Sequence, residues 1–185
     1  MDNFFNDYYK KYHELIFDER VETDLKAFKE LADNVKKSGS KIMLAGNGAS
    51  ASIASHGAVD FTKQGGIRAV TFNEANLITC LSNDYGYENW ISEAINLYHN
   101  EDDVVVLISV SGESENAIRA AKRSKELGLK VVTFSGRSAS NRLKQLGDIN
   151  FWVNSNAYNI VEGIHMVWLT SVIDAVIGKS EYEVS

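Results

Sequence analysis

Apolar residues along this chain follow two alternating patterns, short continuous runs and longer stretches with helical spacing. The runs begin near residues 41, 68, 104, 130 and 149, and helical stretches separate them. Short apolar runs are typical of strands buried on both faces of a parallel sheet, with the intervening helices covering those faces. The pattern predicts an α/β fold, a three-layer αβα sandwich around a five-stranded parallel sheet. Right-handed crossovers favour the flavodoxin-like strand order 2-1-3-4-5.

The N-terminal 37 residues form a helical extension ahead of this predicted core, which spans residues 41–177 of a single domain, 1–185. Two apolar stripes, separated by a break near residues 17–20, predict two helices or one bent helix, ending at Gly39. The first stripe is broader than one small sheet needs, so either part of it packs against another subunit or it covers an edge of its own core. It consists of Phe4, Phe5, Tyr8, Tyr9, Tyr12, Leu15 and Ile16.

The remaining elements follow from the same spacing. Helices are predicted over residues 51–63, 88–99, 113–127, 141–146 and 159–177, while residues 73–84 look irregular or partly helical and residues 82–86 form a loop. Trp90, Ala94, Ile95 and Tyr98 are expected to face inward. Cys80 is the single cysteine, which excludes an internal disulfide and agrees with a reducing compartment. Its apolar neighbours favour a buried small hydrophobic residue over a nucleophile.

Two turns rich in glycine and serine follow buried strands. One comes after the first strand, at residues 46–50 with Ser50 as a candidate helix cap, and the other follows the central strand, at residues 109–114. Serine hydroxyls and the unpaired N–H groups of a helix N-terminus suit a phosphate group. Since neighbouring parallel strands end at the same edge of a sheet, the pair predicts one ligand held between two turns. The candidate binding residues are Asn47, Gly48, Ser50, Ser109, Ser111 and Ser114.

Composition limits the possible partners. The net charge of −6 and a pI near 5.2 argue against nucleic acid as a main partner, because phosphate backbones select basic surfaces. No basic leader precedes an apolar core at the N-terminus, and no window reaches about 18 consecutive apolar residues. We therefore expect a cytoplasmic protein without membrane contact. Hydrophobic and charged contents of 44% and 24% are ordinary for a globular fold, so disorder is not expected.

Several polar residues have more than one possible role. His56 and Asp60 stand four residues apart on one helix face, which suits a metal-binding pair, a base with its orienting partner, or a surface ion pair. Asn47 and Asp84 lie on loops, where they contact sugar hydroxyls or cap the loops. His165 is surrounded by apolar residues, which favours a structural, hydrogen-bonded histidine.

The order of these motifs resembles the sugar isomerase (SIS) domain family, and within it the phosphoheptose isomerase branch. The segments that carry the resemblance are Gly46-Asn-Gly-Ala-Ser50, His56 with Asp60, Asn83-Asp-Tyr-Gly86, Ser109-Val-Ser-Gly-Glu-Ser114 and Val161-Glu-Gly-Ile-His165. The resemblance spans nearly the whole chain. It implies a homotetramer with active sites between subunits, and the conversion of sedoheptulose 7-phosphate into D-glycero-D-manno-heptose 7-phosphate for lipopolysaccharide or capsule.

The resemblance also implies roles for individual residues. Asp60 stands at the position of the family's catalytic base, where the branch usually has glutamate, and Glu162 at a substrate-binding position where the branch often has glutamine. In zinc-containing members, the positions of His56, Asp60 and Glu162 supply ligands, so Zn²⁺ is possible although the reaction as written requires no cofactor.

Two departures from the family pattern affect this expectation. The family's second histidine falls on Thr170, and a threonine hydroxyl is no general acid near neutral pH, so His165 takes the acid role or the chemistry has changed or been lost. Glu113 replaces the usual asparagine and adds a negative charge beside the predicted phosphate site. Alternative functions are therefore a non-catalytic module that binds a phosphosugar or a protein partner, and an isomerase of a different sugar phosphate.

Overall fold

The computed structural model describes residues 3–182 and forms a five-stranded, all-parallel sheet in the order β2-β1-β3-β4-β5. The predicted αβα sandwich and strand order are confirmed. The strands are β1 (Ile42–Gly46), β2 (Ala69–Thr71), β3 (Val104–Ser109), β4 (Lys130–Gly136) and β5 (Ile149–Val153). The helices are α1 (Phe4–Leu15), α2 (Glu19–Ser38), α3 (Ala49–Lys63), α4 (Ala75–Tyr85), α5 (Trp90–Tyr98), α6 (Glu115–Glu126) and α7 (Tyr158–Ile177), with a 3₁₀ helix at Lys144–Leu146.

Two apolar cores lie on opposite faces of the sheet. Every residue of β1 and β3 is buried, as expected for strands covered on both sides. On one face α2, α3 and α7 pack around a cluster of aromatic rings, Phe28, Phe61, Phe134, Phe151 and Trp168. On the other face α5 and α6 cover the sheet with Trp90, Ile91, Ile95 and Ile118. The central strands therefore have fixed ends, and their carboxyl edge is a rigid base for a site.

The N-terminal extension consists of two helices that meet at the predicted break. Asp18 begins α2 by accepting a hydrogen bond from the Val21 N–H at 2.8 Å, and Gly39 ends it in a left-handed conformation, as predicted. The inner side of α1 contacts α7, because the Tyr12 hydroxyl donates to the Asn159 carbonyl at 3.0 Å. The outer side leaves Phe4, Phe5 and Tyr9 62%, 70% and 67% exposed. Contact of α1 with its own core is thus present, and contact with a second subunit stays a prediction.

The segment before α5 differs from the expectation. Residues 75–85 form a regular helix, so residues 82–85 end α4 instead of forming a loop. Because Leu77, Ile78 and Leu81 pack toward the core, helical spacing turns Cys80 outward, and its predicted burial is wrong. Tyr98 was also expected to face inward but is 50% exposed, since it ends α5.

Helix α7 is the most apolar of the helices in the described part of the chain. It has 20 residues and a mean hydropathy of 1.6, so by length and composition it could span a membrane, contrary to the expectation from counting consecutive apolar residues. Eight of its side chains are buried within the fold, from Ile160 to Ile173. Such burial is typical of a helix at the centre of a core.

Candidate active site

The turn after β1 brings the backbone of the first loop close to β3. A Cβ added at Gly46 would lie 2.9 Å from the Ile108 carbonyl oxygen, so no larger residue fits there without displacing backbone. Gly48, with φ of +56°, caps α3, and Ser50 therefore lies inside the first helical turn instead of capping it as predicted. Ser50 is buried beneath this turn.

The turn after β3 has the same construction. Gly112 adopts a φ of +65°, the Ser109 hydroxyl donates to the Ser114 hydroxyl at 3.1 Å, and the Ser111 hydroxyl accepts from the Glu113 N–H at 3.1 Å. Within residues 3–182, no side chain caps the N-terminus of α3 or of α6. At α6 this arrangement suits an anion, which the positive end of the helix dipole also favours. At α3 the Ser50 and Ala51 N–H groups already donate to the Asn47 and Gly48 carbonyls, at 3.1 and 3.0 Å.

Both turns line one small pocket at the carboxyl edge of the sheet. Its volume is about 140 Å³, and α7 closes its remaining side. The predicted convergence of the two serine turns is therefore present, although Gly48 contributes through its cap position and not to the wall. The lining residues are Asn47, Ser50, Ile108, Ser109, Val110, Ser111, Ser114, Tyr158 and Glu162.

A pair of side-chain amides connects the two turns. Asn47 and Asn116 donate to each other's oxygen atoms at 3.0 Å in both directions, and the Tyr87 hydroxyl donates to the same Asn47 oxygen at 3.0 Å. Asn47 was expected to contact sugar or to cap its loop, and here it lines the pocket while holding the first turn against α6. The sequence analysis missed Asn116 and Tyr87. A polar residue beside the inward Ala117 and Ile118 was the available signal for Asn116.

A second loop supports the β3 turn from outside. Asn141 is buried, and its amide donates to the Ser138 carbonyl at 2.8 Å and to the Ser135 hydroxyl at 3.1 Å. The Leu143 N–H also donates to the Gly112 carbonyl at 3.0 Å. These contacts fix the loop after β4 directly beneath the glycine of the turn.

Glu113 pairs with Arg142 of this loop and does not line the pocket. Its carboxylate accepts from the Arg142 side chain at 2.7 Å and from the Arg142 backbone N–H at 3.0 Å. These hydrogen bonds hold the pKa of Glu113 below its usual value. The expected negative charge beside the phosphate site is therefore balanced by a guanidinium on the outer side of the turn.

His56 and Asp60 lie in contact on α3, with 3.1 Å between Nε2 and Oδ2. The contact between α3 and α7 lies beside this pair, because a Cβ at Gly57 would come within 2.5 Å of Leu169. At about 100° per residue, His56 and Asp60 occupy the flank of α3 that faces α7. Neither residue lines the phosphate-sized pocket.

His165 is fully buried and lies away from the pocket. Its Nε2 contacts the Ser135 carbonyl at 3.0 Å, and Phe134 and Trp168 pack against the ring. Among residues 3–182, no partner reaches Nδ1. Burial lowers the pKa of His165 to about 4, an effect that the hydrogen bond to Ser135 partly opposes. The ring is thus neutral and structural, and the expectation that it acts as an acid loses its geometric basis.

Two other predicted positions also lie outside the pocket. The Thr170 hydroxyl donates to the Met166 carbonyl at 2.9 Å, so it is bonded within α7. Asp84 lies in the last turn of α4 on an exposed surface, where it accepts from the Asn83 amide at 2.9 Å.

The residues expected as zinc ligands do not form a zinc site in this chain. His56 and Asp60 are adjacent, but across the described residues no three His, Cys, Asp or Glu side chains come together as metal ligands would. The position of the family's second histidine carries Thr170, whose hydroxyl is bonded within α7. A two-residue pair does not fit the three or four protein ligands that zinc requires, and we derive no step through a metal.

Comparison with known proteins gives a consistent result. Residues 5–136 match the family model described as the SIS domain. A phosphoheptose isomerase of Fusobacterium nucleatum is 34% identical over 164 residues, which cover 86% of this chain and 83% of that protein. The solved phosphoheptose isomerase GmhA of Neisseria gonorrhoeae superposes with a TM-score of 0.77 at 26% identity, covering 83% of this chain and 85% of that one. A phosphoheptose isomerase structure from Francisella tularensis reaches 0.84 at 22% identity, covering 95% and 97%, and supports the fold alone.

Proposed function

This chain belongs to the SIS domain family, and from that premise we propose that it is an aldose–ketose isomerase of phosphosugars. Its substrate is sedoheptulose 7-phosphate, and its product is D-glycero-D-manno-heptose 7-phosphate for lipopolysaccharide or capsule heptose. The pocket formed by the two serine turns carries this proposal, since it offers hydroxyls and helix N–H groups to one anion. The phosphosugar is a metabolic intermediate, which supports a cytoplasmic location.

The binding residues divide by chemistry. Ser50, Ser109, Ser111 and Ser114 take the phosphate group, because hydroxyls and free N–H groups are neutral donors that need no proton exchange. Asn47 and Glu162 line the same pocket from the first turn and from α7, and both contact sugar hydroxyls. A carboxylate repels phosphate, so Glu162 faces the sugar chain and not the anchor.

Proton transfer between C1 and C2 requires a base at the end of the sugar opposite the phosphate group. We assign this role to Asp60, with His56 at 3.1 Å orienting the carboxylate. Because His165 is buried, the group that serves the sugar oxygens is Glu162, the carboxyl side chain of the pocket wall.

A homotetramer with active sites between subunits is part of the proposal. Within one chain Asp60 does not reach the pocket wall. The neighbouring Val59 is 58% exposed, and the outer face of α1 carries exposed aromatic rings. Mixing two inactive variants, one at Asp60 and one at Ser111, tests this arrangement. Shared sites restore part of the activity after subunit exchange, whereas sites within one chain restore none.

A non-catalytic phosphosugar-binding protein is the second candidate. It is favoured by one observation, that His165 is buried and Thr170 is bonded within α7, so neither offers an acid to a ligand. An assay against ketose phosphates of five to seven carbons, with and without zinc, separates the candidates and also detects an isomerase of a different sugar phosphate. Binding without conversion of any sugar would favour the second candidate.

The assignment of the base has its own test. We expect Asp60→Asn to lower kcat at least about 100-fold, because the amide cannot accept the proton, while the fold is retained. Asp33→Asn is the matched control, since Asp33 also pairs within a helix and has a similar side-chain exposure, 28% against 25%. Full turnover of Asp60→Asn would show that the base lies elsewhere.

A further inference from the structure

Arg137 occupies a constrained position beside the pocket. It follows β4 with a φ of +57°, and within residues 3–182 only Asp102 is another non-glycine residue with positive φ. Its N–H donates to the Ser155 carbonyl at 3.0 Å, which holds the backbone in this conformation. Strain of this kind persists where the surrounding structure enforces it, and it concentrates at functional sites.

Gly136, the residue before Arg137, contacts the turn after β3 directly. The Gly136 N–H donates to the carbonyl of Val110, which lies between Ser109 and Ser111, at 2.9 Å. A Cβ at Gly136 would also come within 2.8 Å of Val161 on α7. The end of β4 therefore packs between the turn after β3 and α7. The Cα of Arg137 lies about 3.8 Å from the Cα of Gly136.

The Arg137 side chain extends over an aromatic ring of the pocket. Its guanidinium lies 5.9 Å from the ring centre of Tyr158, which lines the pocket. No carboxylate within residues 3–182 pairs with it, whereas Arg119, Arg123 and Arg142 all have acidic partners. Arg137 is not itself a lining residue, but the ring keeps its cation beside the pocket without neutralising it.

The pocket itself lacks positive charge. Glu162 is its one charged lining residue among those that the structure describes, yet a phosphate monoester carries a charge of about −1.5 to −2 near pH 7. A planar guanidinium matches two phosphate oxygens at once. We propose that Arg137 is a substrate-binding residue, whose guanidinium lies over the ring of Tyr158 and contacts the phosphate group. This inference rests on the proposed function only in that the pocket receives a phosphate.

Binding of inorganic phosphate, measured by calorimetry on the full chain, tests the inference without any turnover. We expect Arg137→Gln to weaken binding about tenfold, as loss of a charge-assisted hydrogen bond does, and Arg137→Lys to weaken it less. Arg123→Gln is the control, because it removes the same charge from a residue that pairs with Glu126 outside the pocket. Arg137→Gly fits the positive φ without strain, so it retains the fold and shows the same loss.

The outcomes are distinct. A loss of less than about threefold in Arg137→Gln, an equal loss in Arg123→Gln, or no phosphate binding by the unaltered protein overturns the role of Arg137. Arginine-dependent phosphate binding without isomerisation of any sugar supports Arg137 and refutes the isomerase. Isomerisation with an unchanged KM in Arg137→Gln supports the isomerase and refutes Arg137.

Discussion

The buried histidine makes the stability of this protein depend on pH in a way that one substitution can isolate. His165 has a pKa of about 4 in the fold, against 6.5 when exposed to water. The unfolded chain therefore takes up the proton at higher pH than the folded chain does. Stability from this residue is complete above pH 6.5 and is lost as the pH falls from 6.5 toward 4.

The magnitude follows from the two pKa values. A difference of one pH unit is worth about 1.4 kcal/mol, so the full effect is about 3 kcal/mol, of which about 2 kcal/mol is lost at pH 5 relative to pH 7.5. His165→Gln keeps an N–H at the position of Nε2 but cannot titrate. Other groups titrate equally in both proteins, so their contributions cancel in the difference.

Urea unfolding of both proteins at pH 7.5 and pH 5, at one protein concentration, measures this difference. We expect the unaltered protein to lose about 2 kcal/mol more than His165→Gln. If the variant does not fold, NMR titration of carbon-13-labelled histidine gives the pKa of His165 directly. Equal losses in both proteins, or a pKa near 6.5, would refute the reasoning and restore His165 as a possible proton donor.

Two further predictions concern the turn after β3 and the loop after β4 that supports it. Gly112→Ala places a Cβ 2.0 Å from the Asn141 side-chain oxygen and should cost on the order of 3 kcal/mol of unfolding free energy, from backbone strain and lost hydrogen bonds. Gly128→Ala, with φ of +76° and open space, should cost only the strain of about 1 kcal/mol, and equal losses would contradict the contact. Arg142→Gln should raise the KM for the sugar phosphate about threefold at constant kcat, because the turn loses its bond to Glu113. An unchanged KM would show that the turn holds its shape alone.

The sheet was predictable from sequence because its strands are short apolar runs, and a buried parallel sheet requires such runs. The strand order followed from the handedness of crossovers, and the meeting of the two serine turns followed from the strand order. Each step used only local pattern and general topology. The same reasoning favoured a structural His165 from its apolar neighbours, whereas the family resemblance gave that residue an acid role.

Three of the failures depend on the packing of side chains between elements that are distant in sequence. Cys80 was misplaced because the helix around it has weak sequence signals, and only the core shows which side faces inward. The partner of Glu113 lies 29 residues away in sequence, so its charge looked unbalanced. The sequence did not indicate a role for Arg137 either, because its contact with the Tyr158 ring depends on how the end of β4 packs against α7.

The mutual amide contact of Asn47 and Asn116 has a consequence for evolution as well as for binding. It joins the two serine turns into one preformed unit, so the protein loses little conformational entropy when a ligand binds. A change in either turn would disturb the other. New sugar preferences would therefore arise more readily in the helix opposite, where Tyr158 and Glu162 line the cavity independently of that unit.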